Sequence, residues 1–339
     1  MKIAFHVPHF SLRGTEVATY DYARYSQELL GHEPLIVYQD WHPATHDIVQ
    51  RKFAARFPMV AFSEFSEVDG IVEKAGTELF YILKSGAHDG KIVRTAPNAV
   101  HAVFPTKQKD FHGERFAFVS EWLSQACSKG REPFVPHIVE LPKTDKNLRA
   151  ELAVPPETIV FGYYGGWDSF NIKFAKRAVR DALEHRKDAC FLFMNIEPFV
   201  SHERAIFLPG SADPIYKAAF INACDAMLHA RDMGESFGIA CGEFSIMNRP
   251  VITYAKSPQR SHLDILGSKA IRYANQKELE GLLLGLTKGD LSGDWDCYSK
   301  QFSPRVVMTK FSEVFIEGKP ASAVARLPLG DRLRSMIGR

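Results

Sequence analysis

Short apolar runs alternate with longer amphipathic segments along the whole chain, and this rhythm predicts strands and helices taken in turn. In the first half, apolar runs at 3–7, 35–38, 59–62, 79–84, 99–104 and 116–120 predict strands, with helices over 15–30, 45–56, 65–75 and 121–129. In the second half, strands are expected at 158–164, 190–195, 205–208, 226–230, 251–254 and 270–272. Helices are expected near 171–185, 214–223, 236–247 and 276–286, with a long last one within 293–316. The strands are apolar along their length, as in parallel sheets covered on both faces. The fold class is therefore α/β, with two doubly wound, Rossmann-like halves and a cleft between them. Pro133, Pro136 and Pro142, a charged stretch over 143–151 and Pro155-Pro156 mark the change of domain, giving domains at 1–145 and 146–316. A basic tail follows at 317–339, and from Lys319 on it carries Lys319, Arg326, Arg332, Arg334 and Arg339 against a single acid, Asp331.

Composition narrows the picture. A length of 339 residues suits two domains, and 45% hydrophobic with 24% charged residues is the balance of a folded globular chain. A net charge of +2 gives no electrostatic case for nucleic acid as a partner. The five cysteines form no C-x-x-C pair, which is reduced, cytoplasmic usage. The chain opens directly into a predicted strand with no leader pattern, so secretion is not expected, and no apolar run reaches eighteen residues. A cytoplasmic location is expected, with any membrane contact peripheral.

The most informative stretch is Gly234-Glu235-Ser236-Phe237-Gly238-Ile239-Ala240-Cys241-Gly242-Glu243. It follows a buried strand and opens a helix expected to begin near Ser236. Glu235 then lies on the loop at the strand's carboxyl edge, where open α/β sheets bind ligands, and Glu243 lies two turns along the helix. Backbone N–H groups of Ser236, Phe237 and Gly238 at a helix start would cradle a phosphate, while the two carboxylates accept from hydroxyls. A nucleoside-diphosphate sugar needs both. Two further strand–glycine–helix turns supply anion-binding positions: Arg13-Gly14-Thr15-Glu16 after the first strand, and Gly165-Gly166-Trp167 followed by Lys173 after the seventh. Each is equally a tight βα turn, and Lys173 equally an exposed helix residue.

Glu235, Glu243 and the following Asn248-Arg249-Pro250-Val251-Ile252 resemble the Glu-x(7)-Glu signature of retaining glycosyltransferases of the GT-B superfamily, in particular the family 4-like group. Phe244-Ser245-Ile246-Met247 replaces that family's Ala-Met-Ala-Cys, and Arg13 and Trp167 stand where the family has a Gly and an Arg. The resemblance implies a donor site in the second domain, with Glu235 on the sugar hydroxyls and Glu243 on the ribose. Gly14, Gly165, Gly166, Lys173 and the 236–238 amides would face the diphosphate, with Lys176, Arg177 or Arg231 replacing the missing Arg. It also implies an acceptor-binding first domain whose His contacts the transferred sugar, His101 first and His88 second, and a last helix packing back on that domain. The donor would be a UDP or GDP sugar and the acceptor a glycan or glycolipid in the cleft. Transfer would be by same-face substitution with no metal or other cofactor. A nucleotide-sugar epimerase, a sugar phosphorylase and a non-catalytic scaffold on the same fold are the alternatives. His42 and His46 have metal-ligand spacing but no third ligand, and Asp294-Trp295-Asp296 lies away from any sheet edge.

Overall fold

The structure is a computed structural model that describes residues 1–324. Among the described residues, unit 1 comprises Met1–Ile138 and 301–324, and unit 2 comprises Val139–Lys300. Most of the basic tail, from Arg326 on, lies outside the described residues. Lys319 pairs with Glu317 at 2.8 Å and Glu313 at 3.4 Å.

Unit 1 runs β1 (Lys2–Val7), α1 (Gly14–Leu30), β2 (Glu33–Gln39), α2 (Asp47–Ala54), β3 (Met59–Phe62), α3 (Val68–Lys74), β4 (Leu79–Lys84), β5 (Asn98–Ala102), β6 (Arg115–Phe118) and α4 (Glu121–Ser128). Unit 2 runs β7 (Ile159–Tyr164), α5 (Lys173–His185), β8 (Ala189–Met194), β9 (Ala205–Leu208), α6 (Pro214–Ala223), β10 (Ala226–His229), β11 (Gly234–Glu235), α7 (Ile239–Ile246), β12 (Val251–Tyr254), β13 (Gln259–Arg260), α8 (Ser261–Leu266), β14 (Ile271–Tyr273) and α9 (Gln276–Gly285). The chain then returns to unit 1 with α10 (Pro304–Phe311) and one π-helical stretch, Ser312–Ile316. The helix expected within 293–316 is thus confined to its C-terminal part. Asp296 Oδ1 accepts from the backbone N–H groups of Tyr298 and Ser299, which turns the chain ahead of α10.

Both six-stranded sheets are parallel and share one topology. Unit 1 has the order β3-β2-β1-β4-β5-β6, and unit 2 has β14-β12-β10-β7-β8-β9. Strand order reverses at β1/β4 in the first and at β7/β10 in the second, and these reversals leave a crevice at the carboxyl ends of the strands. Helix starts are set by local chemistry. Ser120 caps α4 through Leu123 N–H, Asp213 with Pro214 opens α6, and Asn275 caps α9 through Glu278 N–H.

The core of unit 1 includes an aromatic cluster that the returning segment completes. Tyr22 lies 5.4 Å from Phe311, Tyr81 also 5.4 Å from Phe311, and His101 5.1 Å from Phe315, ring centre to ring centre. Arg115 donates to the Phe315 carbonyl, and the Lys310 ammonium lies 3.4 Å from the Phe134 ring centre. Burial lowers the Lys310 pKa to about 8. Because Phe311 is fully buried, Phe311→Ala should destabilise unit 1 by about 3–5 kcal/mol. Urea unfolding followed by a probe in unit 1 measures this, and an unchanged midpoint would show that α10 adds nothing to the core.

Candidate active site at the second sheet edge

The β7/β10 reversal brings together the ends of two strands. Tyr164 closes β7 and leads into Gly165-Gly166, while His229 closes β10 and leads into Arg231 and Glu235. Glu235 is not at a helix start. It sits in β11, which pairs with β13 in the register Gly234↔Gln259 and Glu235↔Arg260. The helix expected from Ser236 begins at Ile239 instead. Gly234 and Gly238 have φ values of +70° and +94°, and an added Cβ at Gly234 would lie 2.1 Å from the Gln259 carbonyl oxygen. The left-handed Gly238 breaks the run, so Ser236, Phe237 and Gly238 form a loop that enters α7 rather than its first turn. Phe237 turns into the core against Tyr298, and Ser236 stays half-exposed.

Glu235 is the best-anchored polar group of the edge. Its Oε1 lies 3.2 Å from His229 Nε2 and its Oε2 3.0 Å from Arg231 Nη1. Behind it, His229 Nδ1 is 2.8 Å from Thr253 Oγ1, which is 3.0 Å from His262 Nε2. A single direction of donation satisfies the chain, from His262 N–H to Thr253, from Thr253 O–H to His229, and from His229 N–H to the carboxylate. His262 Nδ1 then has no partner among the described residues. Burial pushes the Glu235 carboxyl upward, but the His229 hydrogen bond and the charge of Arg231 outweigh it and hold the pKa at about 2. His262 is pushed well below the usual histidine range by burial and by His229.

Glu243 is 3% exposed on α7. Its Oε2 accepts from the Tyr164 hydroxyl, and its Oε1 is 2.5 Å from Lys217 Nζ on α6. Burial and Glu243 raise the Tyr164 phenol well above its ordinary value. The two carboxylates thus occupy separate surroundings, Glu235 at the strand edge and Glu243 deeper under α6.

On the β7 side, the Gly165 carbonyl accepts from Asn195 Nδ2 at 2.7 Å and the Gly166 carbonyl from Ser169 Oγ at 2.7 Å, which fixes the turn. Lys173 is exposed at the first position of α5, and Trp167 in the preceding turn is 57% exposed. Among the proposed replacements for the family Arg, Lys176 lies over the Phe199 ring, Arg177 bonds Gln276, and Arg231 alone contacts Glu235. Gly14 is exposed at the first position of α1, in unit 1.

His101 is a core residue. It is fully buried, its Nδ1 is 2.7 Å from the Tyr81 hydroxyl and its Nε2 2.8 Å from the Val135 carbonyl, and burial lowers its pKa to about 3. With both nitrogens engaged it has no atom to offer a sugar. His101 lies inside β5, every residue of which is buried, and its ring packs with Tyr81 and Phe315 in the aromatic cluster rather than at the strand edge. His88 is exposed, its ring 4.6 Å from that of His112.

Sequence reasoning missed His229, Thr253, His262, Tyr164 and Lys217. One signal was available, a histidine closing an apolar strand directly before the Gly-Glu turn. Among the described residues no group of three or more His, Cys, Asp or Glu could hold a metal ion, and no helix is long and apolar enough to cross a membrane.

No protein-family model and no curated protein sequence matches the chain. Solved structures do. Anabaena Alr3699/HepE, solved in complex with UDP and glucose, superposes with a TM-score of 0.72 at 16% identity, covering 94% of this chain and all of that one. A glycosyltransferase from Rickettsia africae gives 0.62 at 13% identity over 93% of this chain and 98% of its own. A candidate UDP-N-acetylglucosamine 2-epimerase from Listeria monocytogenes gives 0.59 at 11% identity, over 94% and 97%. The architecture is therefore the GT-B fold, two Rossmann-like units with six parallel strands each.

A folded-state pKa of about 2 against an ordinary 4.5 means that the unfolded chain binds the Glu235 proton more readily. The stabilisation is complete above pH 4.5 and is lost as the pH falls toward 2. Urea unfolding of wild type and Glu235→Gln between pH 3 and pH 7 should show a stability gap that is constant at the upper end and narrows below about pH 4.5. A gap independent of pH would mean the carboxylate is not held ionised by its neighbours.

Proposed function

We propose that the chain is a retaining glycosyltransferase that transfers a sugar from a nucleoside diphosphate to a glycan or lipid-linked acceptor. The observation that carries this reading is the ionised Glu235 carboxylate, fixed by His229 and Arg231 at the strand reversal beside the Gly165-Gly166 turn. A carboxylate that stays ionised is a strong acceptor for sugar hydroxyls. The likeness to a protein solved with UDP and glucose supports the same placement of a donor and favours UDP over GDP.

In this reading Glu235 orients the sugar. Glu243 takes the ribose hydroxyls, which replace Lys217 or Tyr164 as its partners. The Gly165-Gly166 turn, the 236–238 loop amides and Lys173 meet the diphosphate, and Arg231 supplies the cation that Trp167 does not. The bond from the anomeric carbon to the phosphate oxygen breaks, and the acceptor oxygen bonds that carbon on the same face. The acceptor's proton passes to the departing phosphate. A double displacement would need a carboxylate free to attack, whereas both Glu235 oxygens are already engaged. Donors aimed at the leaving group then carry most of the acceleration.

Epimerisation of a nucleotide sugar is the second reading, favoured by the Listeria likeness. Incubation with UDP-N-acetylglucosamine and no acceptor separates the two, since an epimerase changes the sugar's configuration and a transferase does not.

Three outcomes are expected. Saturating UDP, at a hundredfold its Kd, should stabilise the protein by about 2.7 kcal/mol and raise its melting temperature by several degrees. No shift with UDP or GDP at millimolar concentration would remove the donor site. Glu243→Ala should weaken nucleotide binding by about 1–3 kcal/mol while Glu235→Gln lowers kcat with little change in nucleotide affinity, and wild-type kinetics in both would refute the assignment. Because amides, Lys173 and Arg231 balance the diphosphate charge, turnover should persist in EDTA. Loss that Mg²⁺ or Mn²⁺ restores would place the compensation on a metal instead.

A further inference from the structure

Glu243 is held by two partners of unequal freedom, and the difference decides how a nucleotide can reach it. Tyr164 lies between the rings of Phe220 and Phe244, each 5.7 Å away centre to centre, and its hydroxyl donates to Glu243 Oε2. Burial and the neighbouring carboxylate raise that phenol well above its ordinary value, so it stays protonated and serves Glu243 as a donor. Parted from the carboxylate, a hydroxyl fixed in such packing would be stranded.

Lys217 is the looser of the two. It reaches Glu243 Oε1 from the fourth position of α6, and its side chain is 12% exposed against 3% for the carboxylate. Its long stem can turn the ammonium on rotatable bonds, which a packed ring cannot do. In parallel α/β units the helices begin at the carboxyl edge of the sheet, so this start of α6 faces the edge where ligands bind. The Lys217 ammonium also lies 5.3 Å from the Tyr164 ring centre. Tyr164 closes β7 and leads directly into Gly165-Gly166, the turn assigned to the diphosphate.

These contacts make either half of an exchange unfavourable alone. Ribose hydroxyls that displaced Lys217 and brought no charge would leave an ammonium without its anion in a poorly hydrated place. A phosphate that drew Lys217 away and brought no hydroxyls would leave the Glu243 carboxylate with Tyr164 as its one donor. A nucleoside diphosphate supplies both, hydroxyls for the carboxylate and oxygens for the ammonium. The other two cations of the edge are less suited to this task, because Arg231 is engaged by Glu235 and Lys173 is exposed on α5.

We propose that Lys217 is a donor-binding residue that exchanges partners, leaving Glu243 for the diphosphate as ribose hydroxyls take its place. This exchange deepens the transferase reading and rests on its assignment of Glu243 to the ribose. It makes recognition of ribose and of diphosphate interdependent, so the site selects a nucleotide over either of its parts.

The test is a ligand-observed NMR titration of the full chain with UDP, uridine and inorganic pyrophosphate. Lys217→Gln should lower the ratio of UDP to uridine affinity about tenfold or more, because UDP loses its cation while uridine no longer has to displace one. Glu243→Gln should tighten pyrophosphate about fivefold or more, since the ammonium no longer has a carboxylate to leave, and adding Lys217→Gln should cancel that gain. A lysine that only braces α6 against α7 would change all three ligands alike. An unchanged UDP to uridine ratio in Lys217→Gln, or a pyrophosphate gain in Glu243→Gln that survives the second substitution, would each overturn the proposal. Should only GDP bind, guanosine replaces uridine in the comparison. If neither nucleotide binds the wild type, the donor reading falls and the exchange with it, whereas binding with an unchanged ratio removes the exchange alone.

Discussion

A carboxylate kept ionised away from water must be surrounded by donors, and the segment from β10 to α8 is folded around that requirement. His229 has to end its strand where its ring can reach Glu235, so Arg231 and the turn after it must bring the chain back over β10. Gly234 and Gly238 permit that return, and pairing of β11 with β13 holds it in register. Thr253 at the centre of β12 and His262 on α8 then fix the far side of the His229 ring. Four residues, on β10, the loop after it, β12 and α8, are committed to the orientation of one side chain. A charged hydrogen bond in such a place contributes roughly 1.5–3 kcal/mol, so the loop is rigid where a substrate would need it to be.

Much of the architecture was legible in the sequence because each strand of the two sheets is an apolar run buried on both faces, a signal that needs no tertiary knowledge. All twelve sheet strands fell at the expected places. Elements too short to have a period were invisible, namely the two-residue strands β11 and β13 and the six-residue helix α8. The start of α7 was misplaced because Ser236 and Phe237 have ordinary helical propensity and only the backbone of Gly238 shows that the helix waits until Ile239. Within the candidate site, Glu235, Glu243 and the glycine turn could be singled out by spacing. The Glu235 partners could not, since Thr253 and His262 meet His229 only through sheet pairing and packing. His101 illustrates the converse, as a polar residue near a strand end gives no sign of whether its ring turns outward or into the core.

The two sheets repeat one topology and diverge in what they put at the equivalent edge. Around β7 and β10 the polar groups are acids held by donors, suited to hydroxyls, with an exposed lysine and a glycine turn to one side. Around β1 and β4 Lys84 pairs with Asp89 beside His112, and Trp41, Ile92 and Phe104 are exposed on the loops that follow β2, β4 and β5. Neither edge differs in backbone plan from the other. The chemistry was written into loops whose length and composition the sheets do not constrain.

The return of the chain to unit 1 at Gln301 has a consequence for synthesis. Unit 2 is continuous in sequence and emerges from the ribosome complete, while unit 1, begun first, still lacks Phe311 and Phe315 from its aromatic cluster. The usual order in which the leading domain folds first is therefore reversed at its final step. Until α10 is made, Tyr22, Tyr81 and His101 lack the rings of Phe311 and Phe315 against which they pack, so unit 1 closes its core only after all of unit 2 has been translated.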